Sequence, residues 1–109
     1  MQFVVLATDK PGSLALRERT RAEHRLHLRN GDPHRVRVLL AGPTFEQSGQ
    51  RMNGTLLVVE AEAIDAVSRF VADDPYVRAG LFERIDIRPW HCGLGGIEAA
   101  VPDPMADPR

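Results

Sequence analysis

Residues 53–75, NGTLLVVEAEAIDAVSRFVADDP, change from the hydrophobic pattern of a strand to that of a helix. Residues 53–60 are largely apolar on both faces, which is typical of a strand that is covered on each side. In residues 61–73 the apolar positions recur at helical spacing, and Asp74 with Pro75 ends the pattern. The segment therefore predicts a strand that passes directly into a helix.

The rest of the chain extends this unit to a β-α-β-β-α-β order. The predicted elements are a strand over 3–8, a helix over 14–29, a strand over 34–42 ended by Gly42 and Pro43, a loop over 44–52, a short helix or turn over 75–80 and a strand over 81–90. Alternation in the second strand places Val36, Val38 and Leu40 on one side. Four strands with two helices on one face predict an α+β, ferredoxin-like sandwich with a four-stranded antiparallel sheet.

The sheet face without helices needs its own cover, because the strands over 3–8 and 53–60 are apolar on both sides. A second copy of the chain, packed sheet against sheet in a two-fold homodimer, is the simplest closure. The competing interpretation is that residues 44–52 or the C-terminal tail fold over this face.

Length and composition suit one small globular domain. We expect it over residues 1–91 of the 109, followed by a Gly- and Pro-rich tail over 92–109 that is flexible or packs on a partner. The formal net charge is −1 and no basic face is evident, so nucleic acid is not expected as a partner. No stretch approaches the length of a membrane span, so no membrane partner is expected and the cytoplasm is the expected location.

Cysteine and motif patterns favour a site without cofactors. Cys92 is the sole cysteine, so no internal disulfide can form, and a structural zinc site is not expected. Cys92 and His91 are not expected to form a nucleophilic pair, because adjacent side chains on an extended chain point apart. No phosphate loop, nucleophile elbow or dinucleotide fingerprint is present. The sequence therefore predicts neither a metal nor an organic cofactor.

One stripe of the first predicted helix carries side chains that suit acid–base chemistry. Arg17, Arg21, His24 and Leu28 follow one another at spacings of four, three and four residues, which places them on one helix face. His24 is the candidate acid or base, since imidazole titrates near neutral pH. Arg17 and Arg21 are candidates to bind an anionic ligand, because guanidinium pairs with such groups in a bidentate manner.

Spacing alone does not decide which face of this helix is buried. A second side is also apolar, through Ala15, Leu16, Ala22 and Leu26. In the alternative interpretation, both arginines pair with acidic residues on a solvated face and His24 is a boundary residue. His27 and His34 lack evident partners in the sequence and are expected on the surface.

Asp74 is the second candidate for a functional residue. It continues the buried stripe of the second predicted helix after Val67 and Phe70, so its carboxylate would need a His or Arg partner. The purely structural alternative is an N-cap at Asp74, followed by proline at the first position of a short helix. Tyr76 is more typical of a core or dimer residue than of a substrate contact.

Several of these residues make the chain resemble the YCII-related (YciI-like) family. They are Arg17, Arg21 and His24, the tripeptide Ala41-Gly42-Pro43, the block ADDPYVRAGL over 72–81, and Arg88-Pro89-Trp90. The resemblance spans residues 2–90 and implies a ferredoxin-like fold that forms a dimeric α+β barrel, with a histidine–aspartate pair lining a cleft. The expected site residues are His24 and Asp74 as catalytic pair, and Arg17, Arg21, Gly42, Pro43 and Tyr76 as substrate contacts.

Two functions are consistent with the resemblance. Some members of the family act on chlorinated hydroquinones as dehydrochlorinases, which implies cofactor-independent acid–base catalysis of lyase or isomerase type on a small cyclic or aromatic acid-like molecule. In that hypothesis His24 is the base and Asp74 orients it. The alternative is a non-catalytic dimeric module that binds a small molecule or only assembles, since a fold by itself does not determine function.

Overall fold

A four-stranded antiparallel sheet carries the molecule, in the strand order β2-β3-β1-β4. The structure, a computed structural model, describes residues 1–96. Its elements are β1 (Gln2–Asp9), α1 (Leu14–Arg29), a 3₁₀ turn (Asp32–His34), β2 (Arg37–Phe45), β3 (Met52–Glu60), α2 (Ile64–Ala72), α3 (Pro75–Arg78) and β4 (Phe82–Trp90). The predicted βαββαβ order and the ferredoxin-like α+β class are confirmed.

The core lies between one face of the sheet and the helices. Phe3 and Val59 face each other across β1 and β3 and are almost fully buried, and Val67 and Phe70 of α2 pack in the same cluster. The segment that follows β3 forms α2 because its apolar residues recur at helical spacing, and Asp65 in its first turn suits the positive end of the helix dipole.

The second strand runs further than the sequence pattern suggested. The prediction that it begins at His34 and ends at Gly42 and Pro43 was wrong, since β2 covers Arg37–Phe45. His34 instead closes the 3₁₀ turn. Pro43 lies opposite Thr55 of β3 within the strand pair. Because β2 is an edge strand of the sheet, a residue without a backbone N–H is tolerated there.

An irregularity in β2 changes which side chains face the helices. The register shifts between Val38, which lies opposite Val59, and Leu40, which lies opposite Val58. The predicted common side of Val38 and Leu40 was therefore wrong: Val38 packs against the core, whereas Leu40 is 39% exposed. The same shift turns Ala41 toward the core, where it lines the site described below.

The opposite face of the sheet presents apolar side chains to solvent. Leu6 is 47% exposed, and Leu56, its partner on β3, is 39% exposed. Within residues 1–96 no helix is long and apolar enough to cross a membrane. The expectation for the tail over 92–109 falls mostly outside the described residues, which end at Gly96.

Candidate functional site

Helix α1 buries its polar stripe and exposes part of its apolar one. Arg17, Thr20, His24 and Leu28 are the buried residues of this helix, whereas Leu26 is 66% exposed. The geometry resolves the ambiguity left by the spacing. Burial of an arginine and a histidine is unfavourable unless both are paired, so their partners define the site.

His24 and Asp74 form a direct buried pair. Nδ1 of His24 lies 2.9 Å and 2.8 Å from the two carboxylate oxygens of Asp74, and both side chains are more than nine-tenths buried. An ionised carboxylate only accepts hydrogen bonds, so Nδ1 is the protonated nitrogen and donates. In the neutral imidazole, the lone pair then resides on Nε2.

The backbone fixes the position of Asp74. This residue caps α3, and its Oδ1 accepts a hydrogen bond of 2.9 Å from the backbone N–H of Tyr76. Pro75 occupies the first helical turn, where its missing N–H has no consequence. Asp74 is therefore both the structural cap and the partner of His24, which unites the two alternatives that the sequence left open.

The ring of Tyr76 holds the imidazole from one side. The two rings stack with centroids 3.8 Å apart and planes 15° apart, and Tyr76 is only 1% exposed. Burial raises the pKa of the Tyr76 hydroxyl, so this group is neutral at physiological pH. Tyr76 and Asp74 together restrain the orientation of His24, although Tyr76 was interpreted mainly as a core or dimer residue.

Arg17 lies in the site and pairs with an acidic residue, as the alternative interpretation expected, but the pair is buried rather than on a solvated face. Its Nε and Nη2 donate to the two carboxylate oxygens of Asp9, at 2.8 Å and 3.0 Å, and Nη2 also donates to Thr55 at 2.6 Å. The guanidinium carbon lies 4.7 Å from the ring centre of Tyr76. Its charge is thus largely balanced, and Nη1 is the nitrogen that takes no part in these bonds.

A cavity of about 100 Å³ opens beside the histidine. It is lined by Arg17, Arg21, His24, Arg25, Leu28, Ala41, Gly42, Pro43, Met52, Thr55 and Tyr76. The structure thus brings all seven predicted site residues to one place, with Asp74 behind His24 and the other six in the cavity wall. No carboxylate lines this wall within the described part of the chain, so the arginines make the cavity electropositive.

Sequence reasoning missed two residues of the cavity wall, Arg25 and Thr55, and the acidic partner of Arg17, Asp9. Arg25 follows Arg21 by four positions, so the helical spacing could have identified it. Thr55 lies opposite Pro43, but this pairing depends on a strand that was predicted to end at Pro43. Asp9 follows an irregularity in the pairing of β1 with β4, which has no signature in the sequence.

A second group of histidines lies close to the site but outside the cavity. Nε2 of His34 lies 2.7 Å from a carboxylate oxygen of Asp73, which also accepts a hydrogen bond from Arg78. Nε2 of His27 lies 2.7 Å from the carbonyl oxygen of Phe70. The expectation that His27 and His34 are partnerless surface residues was wrong. Within residues 1–96, no cluster of three or more His, Cys, Asp or Glu side chains is arranged to hold a metal ion.

Comparisons with known proteins agree with this architecture. A model of the YCII-related domain matches residues 1–91. Protein YciI of Escherichia coli O6:H1 (strain CFT073) is 31% identical over 97 residues, which cover 83% of this chain and 96% of that protein.

Solved structures give the same fold. The 5-chloro-2-hydroxyhydroquinone dehydrochlorinase of Burkholderia phenoliruptrix AC1100, solved in complex with 2,5-dihydroxybenzoquinone, is 33% identical, covers 85% of this chain and 96% of its own, and superposes with a TM-score of 0.74. SnoaB of Streptomyces nogalater, a cofactor-independent oxygenase, is only 16% identical, with a TM-score of 0.54 over 87% of this chain and 96% of its own. The second likeness concerns the fold alone.

Proposed function

This chain belongs to the YCII-related domain family, and from that premise and the geometry of its cavity we propose that it is a cofactor-independent acid–base enzyme. Its substrate is a small ring compound with an ionisable hydroxyl or carboxyl group. His24 is the base, Asp74 orients it, and Arg21 with Arg25 holds the negative charge of the substrate.

The observation that carries this proposal is the His24–Asp74 pair at the wall of an electropositive cavity. The carboxylate of Asp74 accepts the hydrogen bond from the protonated Nδ1 of His24. The unprotonated Nε2 is therefore the nitrogen that can accept a proton from a bound molecule. Once protonated, the imidazolium lies beside a buried carboxylate, which stabilises its positive charge. Arg21 and Arg25 lie on the same helix stripe and face a cavity wall without carboxylates, so they suit the developing oxyanion.

The similarity to a dehydrochlorinase supports one form of this chemistry. In dehydrochlorination, the substrate passes a proton to Nε2 of His24 and releases chloride. The electron pair of the broken bond to hydrogen forms the new double bond, and the chloride leaves with the pair of the carbon–chlorine bond. In an isomerisation, the same proton would return to a different atom of the ring.

The test is chloride release from chlorinated hydroquinones, with His24→Gln compared with His27→Gln. Both histidines lie on α1, but His27 does not line the cavity. We expect His24→Gln to reduce turnover by about a hundredfold or more, which is the range for loss of a general base, and His27→Gln to stay within a few-fold of the native rate. Turnover by His24→Gln at the native rate would refute the proposal.

A non-catalytic binding module is the second candidate. It is favoured by the Asp9–Arg17 pair, which leaves the site one anion-binding group fewer than its arginines suggest. Such a protein would bind 2,5-dihydroxybenzoquinone without converting any ring compound. Native binding of this probe, combined with no proton exchange and no chloride release, would favour this function over the enzyme.

We also propose that the chain forms a homodimer through the open face of its sheet. Leu6, Leu40 and Leu56 are each 39–47% exposed on that face. A contiguous apolar surface of this kind is typical of an interface. Ala41 and Thr55 place the cavity on the helix side of the sheet, so this dimer would leave the cavity accessible.

A further inference from the structure

We propose that the substrate carries a short apolar substituent, which lies in a second cavity beside the His24 site. This inference rests on the proposed function and names the substrate class more narrowly. The second cavity, called the flanking cavity below, has a volume of about 230 Å³ and lies between the end of α1 and the start of β2. Its lining residues are Leu28, Arg29, Gly31, Asp32, Val36, Arg37, Val38 and Ala41.

The size of the His24 cavity is the first argument. At about 100 Å³ it is smaller than the roughly 150 Å³ engineered cavity that accommodates benzene in a well-packed protein interior. A single ring would therefore occupy this cavity completely. Any substituent on the ring away from the reacting atoms must extend into space outside it.

Shared walls indicate the direction of that extension. Leu28 and Ala41 line both the His24 cavity and the flanking cavity, so the two are directly adjacent along the groove between α1 and β2. Leu28 is 7% exposed and Val36 4% exposed, and Val38 packs against the same core. These side chains give the flanking cavity a buried apolar wall, against which a hydrocarbon group would be favoured.

A third cavity at the other end of the groove suits such a group less well. It touches the His24 cavity through Met52 and is lined by four charged residues, namely Asp9, Lys10, Glu46 and Arg51. Its apolar members lie outside the core cluster: Pro11 and Ala15 are exposed, and Leu14 and Met52 are partly buried. Charged residues lie at the rim of the flanking cavity as well, but that cavity borders the core through Leu28, Val36 and Val38. Among the described residues, the third cavity has no such contact with the core, so the flanking cavity is the favoured direction for an apolar group.

The backbone around the flanking cavity is fixed. The carbonyl oxygen of Gly31 accepts from the N–H groups of His34, at 3.0 Å, and Val36, at 3.1 Å. A Cβ atom at position 31 would overlap the carbonyl oxygen of Val36, so only glycine allows this close approach. These contacts hold the Gly31–Val36 side of the cavity in place, and small-molecule sites are usually largely preformed.

The rim limits the length of the substituent. Arg29, Asp32 and Arg37 surround the apolar wall, and Arg37 forms an ion pair of 2.8 Å with Glu60 at the surface. A long hydrocarbon chain would have to cover these charged groups. A short alkyl group or a second small ring fits the apolar part alone.

Two probes, benzoate and 4-butylbenzoate, distinguish the binding of the ring from the binding of its apolar substituent. Their affinities are measured by amide chemical-shift titration of the full chain at pH 7, with the native protein and with Val38→Phe. Val38 lines the flanking cavity but not the His24 cavity. If Val38→Phe fails to fold, Val38→Leu replaces it as a smaller obstruction.

We expect 4-butylbenzoate to bind the native protein about tenfold more tightly than benzoate, with shifts at Gly31 and Val36 that benzoate does not cause. Val38→Phe should remove this preference and leave benzoate affinity within about twofold of native. Equal binding of both probes by the native protein, or a preference that survives Val38→Phe, would overturn the flanking subsite and leave the proposed function intact. Binding of neither probe would overturn both the subsite and the anion-binding site.

Discussion

Asp73 and Asp74 are neighbours in the chain, but each carboxylate binds a different histidine. Asp74 lies 2.8 Å from Nδ1 of His24 in the buried site, whereas Asp73 lies 2.7 Å from Nε2 of His34 nearer the surface. The chain reverses its side-chain direction here because α2 ends at Ala72 and Asp74 already caps α3. Two histidine–aspartate pairs thus use adjacent carboxylates, and only the His24–Asp74 pair touches the cavity.

This relationship provides a matched pair of variants for the catalytic role of Asp74. We expect Asp74→Asn to reduce turnover by about a hundredfold or more, because the amide no longer stabilises a protonated His24. Asp73→Asn removes the same charge one residue away and should keep turnover within a few-fold of native. Steady-state rates of chloride release at pH 7 distinguish the two variants, with the folding of each checked by circular dichroism. Equal losses in both variants would mean that Asp74 acts only through the fold.

The contacts of Asp73 predict part of the loss of stability of the fold in acid. The hydrogen bond from His34 and then that from Arg78 lower the pKa of the Asp73 carboxyl below its ordinary value of 3.8. A carboxyl with a lowered pKa in the folded state stabilises that state above the unfolded pKa, and the contribution is lost as pH falls through the folded pKa. Asp73→Asn should therefore destabilise the protein at pH 7, and this effect should shrink as the pH falls below the ordinary carboxyl pKa of 3.8.

Thermal unfolding between pH 7 and pH 2 measures this difference. Asp65→Asn, on the exposed first turn of α2, is the control for a general loss of negative charge. We expect the native and Asp73→Asn melting temperatures to converge in acid, whereas Asp65→Asn should show a smaller difference at pH 7. Curves for Asp73→Asn and the native protein that stay parallel down to pH 2 would show that His34 and Arg78 do not stabilise the ionised carboxyl.

The sequence predicted the members of the site better than their contacts. Helical spacing placed Arg17 and His24 on one stripe, and the stripe of the second helix reached Asp74, because both patterns are local. The Asp9–Arg17 pair was not predictable in this way, since it follows a register irregularity between Thr8 and Asp9 that tertiary pairing creates. The shift in β2 is of the same kind. Both depend on strands that meet only after folding.

The buried Asp9–Arg17 pair predicts that substitutions of Asp9 and Arg17 have non-additive effects on the free energy of unfolding. Their side chains are 6% and 4% exposed, so removing one partner leaves the other charge buried without compensation. We expect Arg17→Met to reduce the free energy of unfolding by about 3 kcal/mol, and Asp9→Asn combined with Arg17→Met to recover part of that loss. Urea unfolding of the two single variants and the double variant gives the coupling energy. Simple additivity of the single losses would contradict a paired, structural Arg17.

The open sheet face offers a matched test of self-association, because exposed leucines lie both on this face and elsewhere on the surface. Leu56 is 39% exposed at the centre of that face, beside the 47% exposed Leu6, whereas Leu26 is 66% exposed on the outer side of α1. A buried glutamate at position 56 would have to lose its hydration in a sheet-to-sheet dimer, so Leu56→Glu should convert a dimer to a monomer. Leu26→Glu should leave the mass unchanged, since it adds the same charge outside the interface. Sedimentation equilibrium at several protein concentrations measures both, and a native protein that stays monomeric, or a dimer that tolerates Leu56→Glu, would refute this interface.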